Sequence, residues 1–227
     1  MQIHEILNPI LKRLRRKRMR RFAEAFGVGA RTRILDVGGT TLNWQLVPVM
    51  PDVTLLNLDA ELVGEGRERF RLVVGDGCRL PFRDQSFDIV FCNSLIEHLP
   101  VEQQYALADE VRRVGKSHFV QTPNYWFPVE PHFWAPLFHW LPLAVRRRTV
   151  RWLTPWGLLA KPGRAEAVAA VEEMRLLTAA ELRARFPGDE LIVERAAFLP
   201  KSLIAVSRRA GTGATGSAPP LRDPAQP

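Results

Sequence analysis

The chain has 227 residues, 46% of them apolar and 25% charged, which is the make-up of a globular domain and excludes a disordered or repetitive chain. Its two cysteines, Cys78 and Cys92, form no CxxC pair, so a disulfide-stapled scaffold is excluded and the expectation is a cytoplasmic protein with reduced thiols and no metal cluster. The net charge of +8 sits in Lys12–Arg21, where eight of ten residues are basic; the remainder carries 24 basic and 24 acidic residues, which argues against a broad docking face for duplex nucleic acid.

Residues 3–26 predict an amphipathic helix, with Ile3, Ile6, Leu7, Ile10, Leu11 and Leu14 at three- and four-residue spacings, and residues 1–29 read as a basic N-terminal segment. The basic run follows the apolar residues, the reverse of a secretory signal. From Arg33 short apolar strands alternate with helical stretches. Strands are expected at 34–37, 53–58, 72–74, 87–92 and 117–121, and helices at 42–49 and 101–114. Thr178, with Glu181 three residues on, predicts a capping box for a helix over 178–186. Strands at 191–198 and 202–207 are then joined by only Leu199-Pro200-Lys201, a link so short that they must pair antiparallel. The predicted fold is a three-layer α/β sandwich over residues 30–209, its seven-strand sheet mostly parallel with an antiparallel last strand. Residues 210–227, rich in glycine and proline, are expected to be a disordered tail.

Four predicted strands end on small or acidic residues. Gly38-Gly39 follows the first, allowing close backbone approach to a ligand. Asp59 ends the second, 23 residues after Asp36, the distance at which an acid meets ribose hydroxyls. Asp76 ends the third and suits an exocyclic adenine amine, and Asn93 ends the fourth. Neither G-x-G-x-x-G nor a P-loop occurs, so the ligand expected is a nucleoside without a phosphate chain.

The runs Ile34-Leu35-Asp36-Val37-Gly38-Gly39, Asn57-Leu58-Asp59, Gly75-Asp76-Gly77, Leu80-Pro81-Phe82 through Ser86-Phe87-Asp88, and Ile96-Glu97-His98-Leu99 resemble a class I S-adenosylmethionine-dependent methyltransferase of the small-molecule, ubiquinone-biosynthesis-like type. The resemblance covers residues 30–124, and the closing hairpin matches that fold's reversed final strand. It implies that Asp36, Gly38 and Gly39 cradle the methionine part of S-adenosylmethionine, that Asp59 binds the ribose and that Asp76 meets the adenine. It also sets Gly77 and Cys78 beside the ring, with Asn93 and Ser94 near the sulfonium. One departure is Thr40, where the family's Asp-x-Gly-x-Gly run has its last glycine.

Residues 125–165 read as an insertion holding nine of the 20 aromatic residues, and no acid occurs from Pro131 to Ala165. The expectation is a cover over the acceptor pocket that also meets an anionic membrane surface through its tryptophans and Arg146–Arg148, placing the protein peripherally at the membrane's inner face. Three residues compete as the acid or base for a small or lipid-linked acceptor methylated at oxygen: His98, beside Glu97, and the pair Glu130 and His132, held between prolines. The alternatives are an RNA methyltransferase using the basic helix and a non-catalytic binding protein of the same fold.

Overall fold

The computed structural model describes residues 3–196 and 198–208, with the backbone alone for residues 3–12 and 14. The tail expected over 210–227 lies outside the described residues. Helix α1 (Ile3–Phe26) leads into β1 (Arg33–Val37), the single-turn α2 (Thr41–Trp44), β2 (Asp52–Asn57), β3 (Arg71–Val74), β4 (Phe87–Asn93), α3 (Val101–Val114) and β5 (Gly115–Pro123). A small ribbon of β6 (Val129–Glu130) and β7 (Ala135–Pro136) follows, then α4 (Leu143–Leu153), α5 (Pro155–Ala160), α6 (Arg164–Glu173) and α7 (Ala179–Arg185). The chain closes with β8 (Glu190–Ala196) and β9 (Leu199–Ser207).

The main sheet has seven strands in the order β3-β2-β1-β4-β5-β9-β8. Strands β1 to β5 pair in parallel, and β9 runs antiparallel between β5 and β8. Alternate strand residues point to opposite faces, so each strand feeds two cores. Leu35, Val37, Val90 and Cys92 pack with Leu107 and Val111 of α3 and Leu182 of α7. Ile34, Ile89 and Phe91 pack on the other face with Met19 and Phe22 of α1.

The buried face of α1 is therefore Met19, Phe22, Ala23 and Ala25, C-terminal to the apolar residues from which the helix was expected. Phe22 meets Phe91 at 4.9 Å and Phe119 at 5.3 Å between ring centroids, both edge-on. Such pairs add about 0.5–1.5 kcal/mol each beyond their area, and they anchor a helix whose exposed side chains, among those described, are Arg13, Arg16, Lys17, Arg20 and Glu24.

Three expectations shift. The helix predicted over 42–49 is one turn, because the indole of Trp44 turns inward and Pro48 cannot extend the ladder. Strand β9 already begins at Leu199, so the residues expected as the hairpin link are strand. The aromatic insertion builds a third core from Phe133, Ala135, Phe138, Val150, Ala167 and Val171, which reaches past residue 165 into α6. The capping box at α7 forms as its sequence prescribes, with Thr178 Oγ1 accepting from the Glu181 N–H at 3.2 Å.

Candidate functional site

Because β1 to β5 are parallel, their carboxyl ends share one edge of the sheet, where ligands of such sheets bind. Asp36, near the end of β1, is 1% exposed. The indole Nε1 of Trp44 donates to its Oδ2 at 2.8 Å, while Oδ1 is buried with no protein partner. Burial pushes the carboxyl up to about 8 against the opposing pull of the Trp44 bond. Trp44 went unforeseen; an indole eight residues after the strand-end acid, within reach of a tight turn, was the available signal.

The next residues fold back over that carboxylate. Gly38 takes φ +71° and donates to Leu56 O at 2.8 Å. A Cβ at Gly39 would lie 2.3 Å from Asp36 Cγ and 2.4 Å from its Oδ2, so the chain passes as close as a residue without a side chain allows.

An acid held protonated in the folded state but free to ionise when unfolded makes folding consume a proton between pH 4 and about pH 8. Asp36 therefore withdraws stability as pH rises through that window, with a slope approaching ~1.4 kcal/mol per pH unit. Urea unfolding at pH 5 and pH 7 is expected to show Asp36→Asn gaining on the unsubstituted protein at the higher pH. Parallel curves would show that Asp36 ionises normally.

The neighbouring strand tips adjoin this turn. Asn57 at the end of β2 donates through Nδ2 to Gly39 O at 3.3 Å, and Gly75 N–H donates to Asn57 O at 2.9 Å. Asp59 is exposed and caps the short 3₁₀ turn Ala60–Val63, accepting from Glu61 N–H at 2.9 Å. Asp76, also exposed, accepts from Cys78 N–H at 2.8 Å. A Cβ at Gly77 would stand 2.8 Å from Val37 Cγ1, so the 76–78 loop lies directly against β1. Burial, then the charge of Asp76, push the Cys78 thiol up to about 11, which removes it as a nucleophile at neutral pH.

At the end of β4, Asn93 and Ser94 are tied into a network centred on Arg18 of α1. Arg18 Nη1 donates to Asn93 Oδ1 at 2.8 Å and Gln121 Oε1 at 2.9 Å, and its remaining nitrogens bridge both oxygens of Glu194. Ser94 sits at φ +57° and donates to Gln121 Oε1 at 3.2 Å. One member of the cationic stripe thus points inward and braces the site from the first helix to β8. The pair is mostly buried, with side chains 15% and 17% exposed. Arg18→Met leaves Glu194 without its partner and is expected to cost about 3 kcal/mol in urea unfolding, whereas the exposed Arg16→Met should cost nothing measurable.

Beyond β4 the chain delivers Glu97 and His98. Glu97 is fully buried, accepts from Thr122 Oγ1 at 3.0 Å, and keeps Oε1 without a protein partner. Burial raises its carboxyl to about 7. Burial and then the charge of His132 lower His98 to about 4. Glu130, 1% exposed on β6, accepts from His132 Nδ1 at 2.6 Å and from Phe133 N–H at 2.5 Å. Burial pulls His132 down, but its bond to Glu130 and the charges of Glu130 and Glu97 outweigh that and hold it above the usual imidazole range. The rings of His98 and His132 meet edge-on at 5.2 Å, so all three residues expected to handle protons converge. They join Glu97, 35 positions before His132 in sequence.

Residues 25–118 match the model of the methyltransferase domain family. Over those residues, fewer than half of the chain, it resembles a methyltransferase domain. Two uncharacterized proteins of Mycobacterium tuberculosis are 29% identical to this chain over 118 residues, covering 46% of it. The chain spans 40% of the length of these curated relatives. A S-adenosylmethionine-dependent methyltransferase from Archaeoglobus fulgidus shares the fold at TM-score 0.55 and 13% identity, covering 86% of this chain and 94% of that one. The magnesium protoporphyrin IX methyltransferase of Synechocystis, solved with bound SAH, superposes at TM-score 0.53 and 15% identity, covering 87% and 83%.

The cofactor that this methyltransferase family implies fits the residues present. The buried Asp36 carboxylate has one oxygen with no partner, which suits the ammonium of an amino acid moiety. At Gly39 any side chain would collide with Asp36, so only glycine lets the turn lie against that carboxylate. Thr40, the departure from the family's run, serves as the N-terminal flank of α2 in extended conformation, so the turn forms without a third glycine.

Proposed function

We propose that this chain transfers a methyl group from S-adenosylmethionine to an oxygen of a small or lipid-linked acceptor. The observation that carries the reading is the buried Asp36 carboxylate under the Gly38-Gly39 turn, with one oxygen that has no protein partner; the Glu130-oriented imidazole of His132 supplies a separate candidate for handling the proton.

In this reading Asp36, Gly38 and Gly39 hold the amino acid end of the cofactor, Asp59 its ribose, and Asp76, Gly77 and Cys78 its base. Asn93 and Ser94 lie toward the reacting end. The sulfonium supplies the activated methyl, so the protein's task is alignment and proton removal. His132 takes the acceptor's hydroxyl proton at Nε2, because Glu130 engages Nδ1 and fixes the tautomer. His98, kept neutral, packs against it and excludes water.

Two features support an amphipathic acceptor. A cavity of about 110 Å³ is lined by Tyr125, Phe133, Phe138 and His139 together with Glu130, Arg146 and Arg175, so an aromatic wall faces charged groups. Outside it, Trp126, Trp152, Leu153, Leu158 and Leu159 are all more than half exposed, next to Arg147, Arg148 and Arg151. Apolar side chains beside cations form the kind of face that rests on an anionic lipid surface. Among the described residues no helix is long and apolar enough to cross a membrane, so such contact would be lateral.

Calorimetric titration with S-adenosylmethionine is expected to give one site per chain. Flotation with phosphatidylglycerol vesicles is expected to carry the protein upward at low salt and release it at high salt. An absent heat of binding overturns the enzyme reading; protein left in the aqueous fraction at low salt overturns the lipid surface alone.

A further inference from the structure

Among the described residues, Glu97, His98 and His132 form the one group of three whose metal-ligating atoms all lie within 4.8 Å of one another. We propose that these three residues bind a single divalent first-row transition ion of the zinc or iron(II) kind, with Glu130 as the outer carboxylate that aims His132 at it. The inference goes beyond the methyl-transfer reading and does not require it.

Four observations carry the site. The first is the donor set: two imidazoles and one carboxylate suit borderline ions such as zinc or iron(II), while magnesium and calcium prefer oxygen alone. The second is the state of Glu97. Its Oε2 is engaged by the Thr122 hydroxyl, but Oε1 is completely buried and unpartnered on a residue with no solvent exposure. A buried carboxylate oxygen with nothing to accept from is costly, and a cation removes that cost.

The third observation is the second carboxylate. Glu130 accepts from His132 Nδ1 and from the Phe133 backbone, so both its oxygens are committed. That arrangement fixes the direction of His132 Nε2, which becomes a lone-pair donor when an incoming ion displaces its proton. A carboxylate behind a histidine is the usual companion of a histidine bound to a metal. The fourth is access. The His132 side chain is 25% exposed and His98 is half-buried, so an ion can enter from the cleft while Glu97 forms the floor. An ion that holds nitrogen at about 2.0–2.1 Å draws its donors closer than 4.8 Å, and small rotations of the two edge-on rings supply the movement. Three protein ligands leave at least one position open, as in catalytic rather than structural sites.

The consequence for chemistry is an exchange of roles. With an ion in place His132 Nε2 is a ligand and takes no proton, and the open position is where an acceptor oxygen would be made more acidic. The base role of His132 then belongs to the metal-free protein.

The test uses the full chain, stripped with a chelator and titrated with Co²⁺ as the probe, without cofactor or acceptor. One equivalent is expected, with visible absorption bands of a low-coordinate nitrogen and oxygen site, displaced by one equivalent of Zn²⁺. Glu130→Gln, which keeps every ligand but weakens the orientation of His132, is expected to bind about 10–100-fold more weakly. His98→Gln, at a half-buried ring, should abolish the bands while circular dichroism stays unchanged. His132→Gln is the second variant, should His98→Gln fail to fold. The proposal is overturned if the chain takes up no stoichiometric Co²⁺, or if either folded variant binds it as the unsubstituted protein does. Because S-adenosylmethionine binding is read separately by calorimetry, failure of the metal site and failure of the methyltransferase reading remain distinguishable.

Discussion

Gly39→Ala is expected to abolish binding of S-adenosylmethionine, by at least about 100-fold in Kd. The added methyl would sit 2.3 Å from Asp36 Cγ and 2.7 Å from its Cβ, distances that real carbon atoms do not adopt. Relief must come from Asp36 or from the backbone of the turn. Asp36 has little freedom, since it is 1% exposed and bonded by the Trp44 indole. Moving it breaks that bond and displaces Trp44, which packs 5.4 Å from Phe91 in the core. Overpacking of this kind costs about 1–3 kcal/mol of stability, so the variant should fold with a lowered urea midpoint while losing its cofactor. A loss of 100-fold corresponds to about 2.7 kcal/mol, which one misplaced carboxylate and one shifted backbone turn readily supply. Gly29→Ala is the matched control, because its Cβ meets nothing within 4 Å. Unchanged affinity in Gly39→Ala would remove the turn from the cofactor site.

Much of this site was legible because parallel sheets translate sequence order into spatial order. Asp36 is next to last in β1 and Asn93 ends β4, while Asp59 and Asp76, read as the ends of the second and third strands, lie two residues beyond β2 and β3; strands that pair in parallel present all these tips on one edge. The reversed β9 was legible for a similar reason: too few residues separate it from β8 for a parallel crossover. What remained hidden depends on side chains meeting across long separations. Trp44 reads as a helix residue until its indole is seen to hold Asp36. Arg18 reads as one charge in a solvated stripe until it bridges Asn93, Gln121 and Glu194, residues 75 to 176 positions away. Local spacing also gave no metal cluster, since Glu97 and His98 meet His132 only after β5 and the β6 ribbon bring it back. Helix boundaries failed at 42–49 because the inward-turned Trp44 and the missing N–H of Pro48 stop the helix after one turn.

His132→Ala is expected to lower turnover by about 10²–10⁴-fold, the span by which a positioned acid or base accelerates proton transfer, while S-adenosylmethionine affinity stays within about twofold. The separation follows from placement. The proposed cofactor contacts lie at the tips of β1 to β4, whereas His132 is hydrogen-bonded by Glu130 on β6. Whether Nε2 takes the proton itself or holds an ion that acidifies the acceptor, its removal leaves the proton without a destination. Glu130→Gln separates positioning from chemistry. It retains a side chain that can accept from Nδ1 but loses the charge that holds His132 above the usual imidazole range. Its turnover should therefore fall between those of the unsubstituted protein and His132→Ala. Release of S-adenosylhomocysteine in the presence of a cellular lipid extract measures all three proteins. Equal turnover in His132→Ala and the unsubstituted chain would move the chemistry elsewhere on the sheet edge and leave the Glu130–His132 pair as a brace for the aromatic insertion.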